Sequence, residues 1–167
     1  TITMAAQSRV NSDSGTVTLN APVAVNGNFI LVVGGAGNIN IAGSLGSSGG
    51  GLNILAAGNS PLNVELLDVT VQGNTAGNDF NSRGGGIVLN LNGGAAWVRQ
   101  SRVLGNHAAQ IKTTLGGPSQ GGGIFLTDGY LHLENVLIAR NDGERGDALW
   151  IQPGNLVSTT VSMNYVT

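Results

Sequence analysis

Three carboxylates close together in the last third of the chain are the residues best placed to do chemistry. Asp142, Glu144 and Asp147 lie within one stretch of six residues. Carboxylate oxygens are the ligands that Ca²⁺ prefers, so the cluster is a candidate calcium site, with Asp128 or Glu134 as a further ligand. The same pattern is typical of a polar turn in solvent, and that interpretation is favoured.

Catalysis by acidic residues would need more than this cluster. A polysaccharide lyase combines acidic residues that hold Ca²⁺ with a base that removes a proton, and a glycoside hydrolase uses two carboxyl groups that flank the scissile bond. No stretch of the chain matches either motif, so no catalytic residue and no cofactor are predicted. An enzyme would require Asp128, Glu134, Asp142 and Asp147 to meet on one face.

The two histidines are not predicted to bind a metal. His132 alternates with Leu131 and Leu133, so its side chain should face solvent. His107 opens the longest variable stretch, and the chain has no cysteine that could act as a further ligand. A Ser–His–Asp triad has no Gly-x-Ser-x-Gly turn to support it.

The elements that must position these side chains form an internal repeat. A Gly triplet, an apolar strand, a turn, an alternating strand and a closing Asn occur at residues 84–106 and again at residues 121–141. A weaker copy runs from residue 146 to residue 163. Repeats of this length with strand-sized pieces indicate a solenoid, in which each repeat is one turn stacked on the next.

Asparagines close three of these copies. Aligned from the closing residue, residues 66–74 match residues 98–106 and 133–141, which places Asn74, Asn106 and Asn141 at one corner. Amide side chains at equivalent positions of stacked strands can hydrogen-bond to one another. The sequence therefore predicts a structural ladder of these three asparagines.

The last copy is the least regular. Its alternating residues Val161 and Met163 align with Val136 and Ile138, and Val166 then stands where the closing Asn should be. The variable stretches at residues 75–83, 107–120 and 142–145 follow one equivalent point of the repeat. We expect them to project from one side, either as tolerated surface loops or as a binding face. Phe125 and Trp150 occupy equivalent positions, and we expect them to form a packing column.

Residues 1–60 differ from the rest of the chain in composition and pattern. No charged side chain occurs between Asp13 and Glu65, and short apolar runs alternate with Gly-Gly, Asn-Gly and Ser-Gly pairs. These runs predict strands near residues 15–20, 21–25, 28–33, 38–42 and 51–56. No window has a helical apolar stripe free of a Gly cluster, so little or no helix is expected.

Composition sets limits on the protein class. The chain has 167 residues, of which 41% are hydrophobic and only 10% are charged, with a net charge of −2. There is no basic stripe, so neither a nucleic-acid partner nor an anionic membrane is predicted. No apolar run approaches the roughly 20 residues of a membrane span. The chain begins at Thr1 without a signal peptide, and we expect it to be a processed form or part of a longer protein.

The repeat resembles a known group of proteins. The Gly-Gly-Gly-Ile phrase, the Leu-x-x-(Asn/Ser/Asp)-x-Val phrase and the closing Gly/Arg-Asn are similar to repeats of right-handed parallel β-helices of the pectate-lyase-like superfold. Among these, polymorphic membrane proteins and other bacterial surface exoproteins are the most similar. Residues 1–60, with Thr-Leu-Asn-Ala-Pro-Val and Asn-Ile-Asn-Ile-Ala-Gly, resemble filamentous-haemagglutinin-type exoproteins. The resemblance implies an exported protein, extracellular or on the bacterial cell surface.

Together these observations predict an all-β, right-handed parallel β-helix of about seven turns, one domain over residues 1–167. Its haemagglutinin-like turns would cover residues 1–60 and its Gly/Asn repeat turns residues 61–167. The predicted function is a non-catalytic structural and adhesive module. Its expected partners are further turns or copies that meet its open ends, as in a filament, and host or surface glycans. The alternative is a polysaccharide lyase or glycoside hydrolase of the same superfold.

Overall fold

Every regular element in the described part of the protein is a β-strand. The computed structural model describes residues 51–56, 61–76, 82–109, 119–153 and 159–167, together with the strand backbones at 8–11, 16–19, 23–26, 31–34, 38–41 and 44–45. These residues contain 19 strands and no helix, so the prediction of an all-β chain is confirmed. Among them, accordingly, no helix has the length and apolarity to cross a membrane.

The strands form three parallel sheets. The five-stranded sheet A consists of β3 (Val23–Asn26), β7 (Leu52–Leu55), β11 (Ile87–Asn90), β15 (Ile124–Thr127) and β18 (Leu149–Gln152). The four-stranded sheet D consists of β6 (Ser44–Leu45), β10 (Thr75–Ala76), β14 (His107–Ala108) and β17 (Asp142–Gly143).

The remaining sheet has ten strands and two arms. Arm B contains β1 (Ser8–Asn11), β4 (Leu31–Gly34), β8 (Val64–Leu67), β12 (Ala95–Arg99), the first half of β16 (Tyr130–Ala139) and β19 (Thr160–Val166). Arm C contains β2 (Thr16–Leu19), β5 (Asn38–Ile41), β9 (Val69–Gln72), β13 (Arg102–Leu104) and the second half of β16. The long strand β16 therefore joins the two arms.

The chain visits the sheets in a recurring order. From β7 onward it passes through sheet A, arm B, arm C and sheet D, and then returns to sheet A one strand further along. All the pairings are parallel, for example Ile87 with Leu52 on one side and Ile124 on the other. Equivalent residues of successive passes are thereby stacked in columns along each sheet.

Apolar columns on the inner faces of the sheets form the core. In sheet A one such column contains Leu52, Ile87 and Ile124, each no more than 1% exposed. Successive side chains of a strand point to opposite faces, so the next residues along these strands, Asn53, Val88 and Phe125, lie on the outer face of sheet A. Each fully buried Leu or Ile contributes about 1.5 to 3 kcal/mol through the hydrophobic effect. The members of this core are Leu52, Ile54, Leu62, Val64, Leu66, Val69, Val71, Ile87, Leu89, Leu91, Ala96, Val98, Val103, Ile124, Leu126, Leu131, Leu133 and Val136.

One left-handed residue in each pass turns the chain from arm B into arm C. The corner residues Asp68, Gln100, Asn135 and Tyr165 have φ angles of 55°, 50°, 53° and 52°. Asn and Asp tolerate this conformation better than most residues, because their short polar side chains can hydrogen-bond locally. The side chains at this corner are therefore polar or amphipathic.

A second corner, between arm C and sheet D, is closed by the asparagine ladder. The Nδ2 of Asn74 donates to Oδ1 of Asn106 at 2.8 Å, and the Nδ2 of Asn106 donates to Oδ1 of Asn141 at 2.9 Å. Asn106 also donates to the carbonyl of Val71 at 3.0 Å, and its Oδ1 accepts from the backbone N–H of Asn74 at 3.1 Å. Asn74 and Asn106 are at most 1% exposed, so these bonds satisfy amides that have little access to water.

Most predicted strands of residues 1–60 are confirmed, but the alignment of the last copy is wrong. Val161 and Met163 pair with Leu131 and Leu133 of arm B, and Val166 pairs with Val136. Val161 and Met163 thus lie on arm B, before the corner residue, whereas the alignment placed them in the strand that follows the corner. The reason is physical: alternating apolar pairs occur on both sides of the corner residue, and alternation alone does not distinguish them.

The variable stretches also begin later than predicted. Their first residues, at 75–76, 107–108 and 142–143, are paired strands of sheet D rather than loop. Further on, Gln120 forms isolated parallel β-bridges with Arg83 on one side and Arg145 on the other. The intervening residues 77–81 and 110–118 lie outside the described residues.

We predict that Asn106→Ala lowers the free energy of unfolding by about 3 kcal/mol, because it leaves buried donors of Asn74 without their acceptor. Urea denaturation followed by circular dichroism measures this change. Asn164→Ala, at an exposed position of β19, is the matched control and should change stability by no more than about 0.5 kcal/mol. Equal effects of the two substitutions would contradict a structural role for the ladder.

Two glycines should differ sharply in their tolerance of a side chain. A Cβ at Gly85 would lie 2.5 Å from the carbonyl carbon of His107 and against the carbonyl oxygen of Gly122. Gly105 has a φ of 57° with nothing within 4 Å of its Cβ position, and Arg140 occupies the equivalent corner with the same φ. We expect Gly85→Ala to destabilise the protein by about 3 kcal/mol or more and Gly105→Asn by under about 1 kcal/mol. Thermal unfolding of both variants tests the difference.

Candidate binding groove

The predicted acidic residues lie in different parts of each pass. Asp128 has a φ of 53° in the turn from sheet A to arm B, and Glu134 is on arm B. Asp142 belongs to sheet D, and Asp147 precedes β18, where its Oδ1 accepts from the N–H of Gly143 at 3.3 Å. Among the described residues, no three acidic or histidine side chains lie close enough together to hold a metal ion. The calcium site at Asp142, Glu144 and Asp147 stays a prediction.

His107 contacts a carboxylate across sheet D. Its Nδ1 lies 2.9 Å from Oδ2 of Asp142, its register partner on the next strand, and Thr75 is its partner on the other side. The side chains of His107 and Asp142 are 46% and 74% exposed. Exposed pairs of this kind contribute little to stability, from zero to about 1 kcal/mol. The pair is therefore a surface contact between neighbouring strands.

Aromatic side chains with arginines above them lie on the outer face of sheet A. Phe125 and Trp150 are register partners, as predicted, and Phe125 is 1% exposed. The guanidinium carbon of Arg83 lies 5.2 Å from the Phe125 ring, and that of Arg145 lies 6.0 Å from the Trp150 ring. Because arginine covers these rings, this face is packed rather than open.

The outer face of arm B carries a second and more accessible aromatic pair. The rings of Trp97 and His132 are stacked, with centroids 5.7 Å apart and an interplanar angle of 10°. They are neighbours in one column, in which Glu65 precedes Trp97 and Ser162 follows His132. His132 faces outward as predicted, while Leu131 and Leu133 beside it are buried.

Arg99, in the adjacent column, contacts a carboxylate on each of the two neighbouring strands. The Nη1 of Arg99 donates to Oε1 of Glu65 at 2.9 Å, and its Nε lies 3.4 Å from Oε2 of Glu134. The side chains of Arg99, Glu65 and Glu134 are 41%, 35% and 56% exposed. Arg99 thus occupies the space between the two carboxylates, which is where the scissile bond would have to lie in a hydrolase.

Three hollows follow one another from this face across the corner into arm C. The first, of about 290 Å³, lies beside His132 and Ser162. The second, of about 430 Å³, shares Arg99 and Glu134 with the first. The third, of about 530 Å³, shares the corner residues with the second. We refer to the three as the corner groove; its polar and aromatic lining residues include Trp97, Arg99, Gln100, His132, Glu134, Asn135, Ser162, Asn164 and Tyr165.

Sequence reasoning did not predict the corner groove. Its lining residues are spread over five strands, β8, β12, β13, β16 and β19, and none of them belongs to a catalytic or metal-binding motif. The available signal was the alternation of β12 and β16, which places Trp97 and His132 on the outward face at equivalent positions. A search for stacked outward side chains, rather than for clusters along the chain, would have found this pair.

Comparison of the chain with protein-family models, with curated protein sequences and with solved structures gives no match.

We predict that Arg99→Ala lowers the free energy of unfolding by about 1 kcal/mol at low salt, because two neighbouring carboxylates lose the cation between them. The loss should shrink in 1 M salt, since the Debye length is then only about 3 Å. Urea denaturation at the two salt concentrations measures both effects. Arg102→Ala, which removes an exposed arginine from arm C, is the control. A loss that does not depend on salt would contradict the electrostatic explanation.

Proposed function

We propose that the chain is a right-handed parallel β-helix of about seven turns that acts as a non-catalytic structural and adhesive module of a bacterial cell-surface or secreted protein. The recurring order of sheet A, arm B, arm C and sheet D, with parallel pairing at every return, supports the β-helix. The export and surface location are proposed from the resemblance of the repeats alone.

The uncovered end of the core is the observation that carries the structural role. Ile151 and Met163 are register partners of the fully buried Leu126 and Leu133, yet they are 38% and 56% exposed. Strand β18 pairs only with β15, and β19 pairs only with β16, among the described strands. Apolar columns and unpaired strand edges at the same end favour stacking of further parallel strands. These strands would come from additional turns or from another copy in a head-to-tail filament.

The acidic residues favour this role over the enzyme alternative. Glu134 is held by Arg99, Asp142 by His107, and Asp147 by the backbone of Gly143. These three carboxylates are thus engaged in separate contacts, and Asp128 lies in the turn from sheet A to arm B, whereas a lyase or hydrolase would need them in one groove. Adhesion requires only a rigid support and an accessible surface, and the corner groove offers such a surface.

Sedimentation velocity over a range of concentrations tests the stacking. We expect the weight-average mass of the wild-type chain to rise with concentration, and the double variant Ile151→Lys, Met163→Lys to remain a monomer, because its charged side chains cannot enter an apolar interface. Tyr130→Lys is the matched control, since Tyr130 is 41% exposed but lies on the outer face of arm B. A wild-type chain that is monomeric at every concentration, or an equal effect of Tyr130→Lys, would refute end-to-end stacking.

A further inference from the structure

The stacked aromatic side chains on arm B do not continue onto the last strand, β19. Trp97 and His132 are stacked in this column, but the next register partner on β19 is the small residue Ser162. Neighbouring strands lie about 4.8 Å apart, so the position above Ser162 is where a third ring would stack on His132. A hollow of about 290 Å³, lined by residues of this column and of the next one, borders this position.

Hydrogen-bonding groups border this hollow on the side of the next column. Glu134, whose side chain is 56% exposed, and Asn164 are register partners that line the hollow together with Ser162. A carboxylate accepts hydrogen bonds, and an amide and a hydroxyl both donate and accept them. A flat ring face with such groups at its edge suits a pyranose ring, which has C–H bonds on its faces and hydroxyls around its rim.

The charges around this first hollow favour an uncharged sugar, and the third hollow adds one carboxylate and one guanidinium, from Asp68 and Arg102. Arg99 is the permanent cation among the described residues that line the first hollow, and this guanidinium already contacts Glu65 and Glu134. An acidic sugar would therefore meet the carboxylate of Glu134 without a free cation to offset the repulsion. A neutral sugar avoids that repulsion, and its hydroxyls can still donate hydrogen bonds to Glu134.

The other two hollows extend the same site. They continue from Arg99 and Glu134 to the amides of Gln100 and Asn135, and Tyr165 stands at the far side with 81% of its surface exposed. Aromatic side chains at both ends with amides between them form a lining for several linked rings rather than for one.

We propose that the corner groove binds a neutral oligosaccharide, with one pyranose ring stacked on His132 above Ser162 and the following rings directed towards Tyr165. This inference rests on the adhesive part of the proposed function and names its ligand class. It does not require the ends of the protein to be stacked, because the groove lies on the outer face of arm B and its corner.

Titration of the full chain with three neutral probes tests the proposal: cellotriose, maltotriose and triacetylchitotriose. Saturation-transfer NMR identifies binding, and isothermal titration calorimetry gives the dissociation constant. We expect at least one probe to bind, and trigalacturonate, an anionic probe of similar length, to bind at least tenfold more weakly. His132→Ala should weaken binding about three- to tenfold through loss of the stacked ring.

The most specific variant is Ser162→Trp, which fills the hollow with a third stacked ring and removes no aromatic side chain. We expect it to abolish binding, while Thr160→Trp, the same change two residues earlier on the outer face of β19, leaves binding unchanged. His107→Ala, on sheet D, is the control for His132→Ala. Circular dichroism and the melting temperature confirm that each variant is folded.

The outcomes separate this proposal from the structural one. If none of the three neutral probes binds, if trigalacturonate binds as tightly as they do, or if Ser162→Trp binds like the wild type, the proposal is wrong. A chain that binds sugar but does not associate in sedimentation refutes only the end-to-end stacking. A chain that associates but binds no probe refutes only the ligand assigned to the groove.

Discussion

Parallel pairing in register is the constraint on which the other features of this protein depend. Because each strand pairs with the equivalent strand of the next pass, every side chain lies between the side chains at the same position of the passes above and below it. Inward positions must then be apolar in every pass, as in the column of Leu52, Ile87 and Ile124. The same repetition acts on the outer faces, where it turns single residues into rows. The core, the asparagine ladder and the aromatic pair are three results of one pairing rule.

The sequence contained enough information for the strands and the corners. Alternation of apolar and polar residues located most strands, and the closing asparagines showed which passes are equivalent, since a buried amide needs a partner at the same position. Where only alternation was available, the prediction failed: Val161 and Met163 fit either side of the corner residue Tyr165. Periodicity shows which residues of a strand face the core, but only the corner residues show to which sheet the strand belongs. In the last pass the closing Asn is missing, and the register could not be fixed.

The corner groove could not be predicted in the same way. Trp97 and His132 are 35 positions apart in sequence, and their contact follows from the pairing of β12 with β16. Chemical motifs depend on spacing along the chain, whereas this surface depends on spacing across strands. The acidic cluster at residues 142–147 combines both kinds of spacing. Asp142 contacts His107 on the preceding strand, whereas Asp147 contacts the backbone of Gly143 within the cluster itself.

The asparagine ladder also has a direction. Each Nδ2 donates to the Oδ1 of the asparagine on the following pass, from Asn74 to Asn106 to Asn141. Amide dipoles aligned in this way add, and hydrogen bonds in a chain polarise one another. The strand stack therefore carries an electric polarity along its axis, and its two ends differ in chemistry as well as in sequence. Two copies joined at their Asn141 ends would place donor against donor in this row, so the ladder disfavours that two-fold symmetric pairing.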